Sequence, residues 1–142
     1  LAEAKAAAVA GDGSRIVLGA DTVVTLDGAI LEKPAGPDHA AEMLRALSGR
    51  PHEVLTGICL RAPSRTVVDA ELTRVHFAPL SEREIEEYVA TGEPADKAGA
   101  YAIQGYASKF IGRIEGDYFN VVGLPVALIY KYLKELWEES WR

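Results

Sequence analysis

The stretch from Ile16 to Val24, "IVLGADTVV", is β-branched or apolar at nearly every position, the pattern of a central strand buried on both faces. Asp21 interrupts it. An ionisable side chain inside such a run costs free energy if it is buried without a partner. Asp21 therefore either sits where its carboxylate reaches solvent or caps a loop, or stands at the mouth of a sheet to hold Mg²⁺ or activate water.

Upstream, "LAEAKAAAVA" has high helix propensity, and "GDGSR" supplies the glycine and aspartate to end that helix. The chain opens on Leu1 inside the helical segment, so an N-terminally incomplete domain spanning residues 1–142 is expected. Downstream, Asp27-Gly28 predicts a tight turn with a short returning strand. "EKPAGP" is loop. Pro37 and Asp38 then open a helix with Ala40, Ala41, Met43, Leu44 and Leu47 on one face and Gly49 as its stop.

Two extended runs follow, His52 to Ala62 and Thr66 to Phe77, joined through Pro63-Ser64-Arg65. The second places Val68, Ala70 and Leu72 on one face and Val67, Asp69, Glu71 and Thr73 on the other, which predicts an antiparallel pair with one wetter face. Ser81 with Glu84 three residues later forms a capping box for a helix carrying Ile85, Tyr88 and Val89 and ending at Gly92. Asp96 to Ile111 is irregular, Ser108 to Asp117 reads as a strand into a Gly-Asp turn, and "EGDYFN" reads as turn chemistry. A last helix starts near Pro125 with Leu128, Ile129, Tyr132, Leu133 and Leu136 inward. The pattern of hairpins and helical crossovers predicts the α/β class, with a mixed β-sheet flanked by helices.

Composition narrows the function. With 15 Lys+Arg against 21 Asp+Glu the net charge is -6, and no basic run offsets it, so nucleic acid is not an expected partner. Cys59 is the single cysteine, which excludes an internal disulfide and a Cys-rich zinc site; its apolar surroundings predict a buried strand residue. No apolar run approaches the ~20 residues of a membrane span, and a cytoplasmic protein is expected. His39, His52 and His76 lack zinc-site spacing and read as surface or strand-edge histidines. P-loop and dinucleotide fingerprints are absent. Trp137 and Trp141 leave two options, core packing (favoured for Trp137) or a homodimer contact. Lys33 follows the hairpin and Lys97 lies among small residues that leave the backbone open to a ligand, so the residues alone point to a small anionic ligand with a metal.

In order, "GADTVV", "EKP", "MLRALSGRPHEVLTG", "YVATGEPADKAGAYAIQG" and "IEGDYFNVVGLP" resemble the Maf family of nucleoside triphosphate pyrophosphatases, from Leu1 to about Leu136. The resemblance implies a Maf/ITPase-like fold. It also implies hydrolysis between the α- and β-phosphates of a nucleoside triphosphate, to the monophosphate and pyrophosphate, with a divalent cation (Mg²⁺ or Mn²⁺). Asp21 matches the family's catalytic carboxylate, acting as proton acceptor and metal ligand. Lys5, Lys33 and Lys97 match lysines of its phosphate cleft, and Thr22 and Gln104 match positions linked to base choice. The chemistry agrees: a triphosphate brings roughly four negative charges that cations must meet.

"DKAGAYAIQG" resembles the branch acting on dTTP, UTP and modified pyrimidine nucleotides; an amide at Gln104 offers both donor and acceptor, which suits the O4 and N3–H edge of uracil or thymine. The alternatives are the 7-methyl-GTP branch, which looks different here, and a non-catalytic nucleotide-binding or cell-division module. The family's N-terminal Ser-x-Ser-Pro-Arg-Arg segment has no counterpart in these residues.

Overall fold

The computed structural model describes residues 1–9 and 15–141, and of Ala8, Val9 and Trp141 only the backbone. Strands β1 (Val17–Leu26), β2 (Ala29–Leu31), β3 (Pro51–Arg61), β4 (Thr66–Phe77) and β5 (Ile111–Glu115) form a five-stranded sheet in the order β2-β1-β3-β4-β5. Helices α1 (Ala2–Val9), α2 (Pro37–Leu47), α3 (Glu82–Ala90), α4 (Tyr118–Val122) and α5 (Val126–Trp141) flank it. The expected helix stop at Gly11–Ser14 lies outside the described residues.

The α/β class with a helix-flanked sheet is as expected, but the pairings among the described residues are all antiparallel rather than mixed. The reason is the position of β1. β2 and β3 run the same way and are joined through α2, as a crossover requires, yet β1 is inserted antiparallel between them. The crossover is present without a parallel ladder.

The local signals act where expected. Asp27 and Gly28 both take positive φ (52° and 81°), the geometry of a type I′ hairpin turn. Ser81 Oγ accepts from Glu84 N at 3.1 Å while Ser81 N donates to Glu84 Oε1 at 2.9 Å, completing the capping box of α3. Ala40, Met43, Leu44 and Leu47 of α2 join Val24, Leu26, Val54, Val75, Phe77, Ile85 and Tyr88 in the main core. A second cluster sets Ile129 and Leu136 of α5 against Ile58, Leu60 and Val67.

The other sheet face meets α1, whose approach depends on Gly19: a Cβ there would lie 2.1 Å from Ala2 O. Cys59 is buried beneath this helix with Ala2 and Ala6, as expected.

Several expectations need correction. β1 is only partly buried: Leu18, on the face opposite Gly19 and α1, is 38% exposed. One face of β4 is wetter, as expected, and it is that of Val68 and Leu72 (60% and 53% exposed). The opposite face carries Asp69, which accepts from Tyr132 Oη of α5 at 2.5 Å, and the fully buried Thr73. "EGDYFN" is not a simple turn: Asp117 Oδ1 accepts from Phe119 N at 2.8 Å and starts α4. Trp137 is 63% exposed rather than in the core; the Trp141 side chain lies outside the described residues.

His52 is the sharpest departure. It is 3% exposed, edge-on to Phe77 and Tyr101, with Nε2 at 2.6 Å from Tyr101 Oη. Burial, helped by the nearby His76, lowers its pKa from 6.5 to about 4. The unfolded chain therefore binds the proton more tightly, so the folded state keeps its full advantage above about pH 6.5 and loses it as pH falls towards 4. The shift amounts to roughly 3 kcal/mol. Urea denaturation of the wild type and His52→Gln across this window is expected to show the variant losing about 3 kcal/mol less; superimposable pH profiles would contradict the assignment.

Candidate active site

Strand β1 presents Asp21 and Thr22 in succession, and adjacent strand residues leave opposite faces of a sheet. Asp21 turns towards α1, where its Oδ1 lies 2.7 Å from Lys5 Nζ; the same ammonium donates to Ala20 O at 3.1 Å. The Asp21 side chain is 23% exposed and that of Lys5 55%, so the pair remains open to solvent on one side. Thr22 turns the other way. Its Oγ1 lies 2.9 Å from Thr56 Oγ1 and 3.5 Å from Gly123 O.

On the Thr22 side lies a cavity of about 250 Å³, which Thr22, Asp96, Lys97 and Gln104 line together. Val24, Val54, Tyr101 and Val121 add its apolar walls. The structure thus brings Thr22, Lys97 and Gln104 to one place and pairs Lys5 with Asp21 on the far face. Lys33 is not in the cavity lining, but its loop is tied to it: Gly99 N donates to Glu32 O at 3.2 Å. Lys33 also contributes to the field at Asp96. The Asp96 carboxyl is held below its ordinary pKa, chiefly by the hydrogen bond from Lys97 Nζ at 2.8 Å, then by the Lys97 and Lys33 charges.

Asp96, unexplained by the sequence pattern, is therefore the counterion that holds Lys97 at the cavity rim. Thr56 and Asn120 went unnoticed as well. Thr56 Oγ1 donates to Asn120 O at 3.3 Å, so the hydroxyl at Thr22 is fixed through a chain that ends in α4. The one local hint was Asn120 within an otherwise apolar turn of helix, "YFNVV".

A family model described as "Maf-like protein" matches residues 1–136. The chain belongs to the Maf-like family. Curated relatives agree with the Maf-like assignment over nearly the whole chain. A protein of Koribacter versatilis (strain Ellin345), named dTTP/UTP pyrophosphatase, is 53% identical over 135 residues, covering 94% of this chain and 70% of that protein. A Bacillus cereus (strain B4264) protein of the same name is 53% identical over 136 residues, covering 95% of this chain and 71% of its own. A Bacillus mycoides (strain KBAB4) protein, again named dTTP/UTP pyrophosphatase, is 52% identical over 136 residues. Among the described residues of this Maf-like chain, no helix is long and apolar enough to cross a membrane.

Proposed function

We propose that this chain is a cytoplasmic pyrophosphatase of dTTP, UTP and modified pyrimidine nucleotides, in which Asp21 is the general base and Gln104 reads the base. The observation that carries it is the cavity in which Gln104, Thr22 and Lys97 meet. The names of the relatives support the same substrate class.

In this reading the Asp21 carboxylate takes a proton from water as its oxygen bonds to the α-phosphorus and the bond to the bridging oxygen breaks, releasing pyrophosphate. Lys5 orients the Asp21 carboxylate through their 2.7 Å contact while Lys33 and Lys97 meet phosphate charge as compact cations. Gln104 supplies a carbonyl for the N3–H and an amide N–H for O4 of uracil or thymine.

A divalent cation fits the donor set. Among the described residues no group of three or more His, Cys, Asp or Glu side chains forms a cage. Mg²⁺ characteristically takes one or two carboxylates and completes its shell with water and substrate phosphates, so Asp21 with its solvent-facing side suffices. Mg²⁺ or Mn²⁺ held there would neutralise charge on the phosphate chain.

Pyrophosphate release from a panel of UTP, dTTP, CTP, GTP and 7-methyl-GTP with Mn²⁺ tests the reading; no release from UTP or dTTP would refute it. Gln104→Glu replaces the donor facing O4 by an acceptor and is expected to lower kcat/KM for UTP by about tenfold or more. An unchanged substrate ranking in that variant would remove Gln104 from base selection.

A further inference from the structure

We propose that Tyr88 and Glu93 act together as a clamp that positions Gln104, setting how well the pyrimidine base is bound while leaving the chemical step alone. The proposal rests on the reading of Gln104 as the base-contacting residue. Gln104 is exposed on a turn, and among the described residues its amide has no hydrogen-bond partner. Its direction is therefore set by the backbone on either side.

That backbone is pinned symmetrically. Two residues before Gln104, Ala102 N donates to Tyr88 Oη at 3.1 Å. Two residues after it, Tyr106 N donates to Glu93 Oε1 at 3.1 Å. The two anchors are joined by Tyr88 Oη donating to Glu93 Oε2 at 2.5 Å. Burial of the phenol, then the hydrogen bond to Glu93, raise the Tyr88 pKa above its ordinary value, so the proton stays on the tyrosine.

The anchors themselves are fixed. Tyr88 is 2% exposed and lies edge-on to Phe110 at 5.5 Å. Thr91 Oγ1 donates to Tyr88 O at 2.6 Å and accepts from Glu93 N at 3.2 Å, which ties the end of α3 to the start of the clamp.

Gly105 explains itself in the same terms. Its φ of −104° is open to any residue, so conformational freedom is not the reason for glycine. A Cβ at Gly105 would lie 1.8 Å from Glu93 Oε1. A side chain there would push the carboxylate off the Tyr106 amide, so glycine at 105 is the steric condition for the clamp to close. Gln104 lines both the cavity it shares with Thr22 and Lys97 and an adjoining one of about 400 Å³ bounded by Ile111, Arg113 and Tyr118. A loosened turn has room to turn the amide into that second space.

The test is steady-state kinetics of the full-length protein with UTP. Tyr88→Phe, Glu93→Ala and Gly105→Ala are each expected to raise KM about tenfold through loss of the binding-competent population, with kcat changed less than about twofold. Glu93→Gln keeps one acceptor oxygen for Tyr106 N but sets an amide N–H against Tyr88 Oη, so it should raise KM by less than Glu93→Ala does. Combining Gly105→Ala with Glu93→Ala should add nothing to either alone. In a Gln104→Ala background, itself raised in KM, Tyr88→Phe should have almost no further effect, which a general loss of structure would not reproduce. If Gln104→Ala raises KM and the clamp variants do not, or if their effects persist in full without Gln104, the clamp is wrong. If Gln104→Ala leaves KM unchanged, the base-reading assignment falls and the clamp with it.

Discussion

Replacing Asp21 by Asn is expected to lower kcat for UTP by about 10²- to 10⁴-fold, the usual contribution of a positioned general base. The structure makes this a clean measurement. Asp21 pairs with Lys5 at 2.7 Å, but with side chains 23% and 55% exposed the pair is open to water. Such pairs contribute about 0–1 kcal/mol, so the variant should unfold within a few degrees of the wild type. Asn keeps the shape and can still accept from Lys5 while it cannot take a proton. Lys5→Ala should cost less in kcat than Asp21→Asn, since the Asp21 carboxylate remains. Retained turnover in Asp21→Asn would take Asp21 out of the chemistry.

Replacing Asn120 by Asp is expected to destabilise the fold by about 3 kcal/mol or more at neutral pH. Asn120 is fully buried, and its Nδ2 faces Val54 O at 3.1 Å, Glu71 O at 3.0 Å and Thr73 Oγ1 at 3.0 Å. Thr73 Oγ1 in turn donates to Asp117 O at 3.0 Å and accepts from Asp117 N at 3.2 Å, so a single amide ties α4 to β3 and β4. A carboxylate there meets carbonyl oxygens with no donor of its own. Its pKa in the folded state should rise above the unfolded value, so the penalty is smallest in acid and grows as pH increases. Urea denaturation of variant and wild type at pH 7.5 and pH 5 measures this. A difference below about 1 kcal/mol at pH 7.5, or one that grows in acid, would show that the amide is not the tie.

Much of the scaffold was legible because its signals are local. The capping box at Ser81 and Glu84, the Asp27-Gly28 turn and the apolar stripe of Ala40, Met43, Leu44 and Leu47 each lie within a few residues, and each forms its element. What failed depends on partners distant in the chain. Alternation along β4 shows that two faces exist, but only the docking of α5 and Asn120 decides that Asp69 and Thr73 are on the covered one. His52 looks like an edge histidine until Tyr101 is brought to its ring.

The candidate site divides in the same way. Asp21 stood out in its apolar run, whereas Lys5, Lys97, Thr22 and Gln104 drew their roles mainly from family resemblance. Their spacing gave no reason to group them. The contacts among Tyr88, Glu93 and Gly105 were invisible because nothing in "YVATGEP" shows that its glutamate folds back under a glycine twelve positions on.

The insertion of β1 between β2 and β3 also has a kinetic meaning. The β1–β2 and β3–β4 hairpins are local and can form within microseconds, but joining them requires the long register from Val17 opposite Arg61 to Thr25 opposite Glu53. Thr22 and Asp21 lie in the middle of that register, facing Thr56 and Gly57. Contact-order reasoning therefore places assembly of both halves of the site at the late, cooperative docking step. On that reasoning a partly folded chain holds neither half, and activity on refolding should return with the last phase rather than in stages.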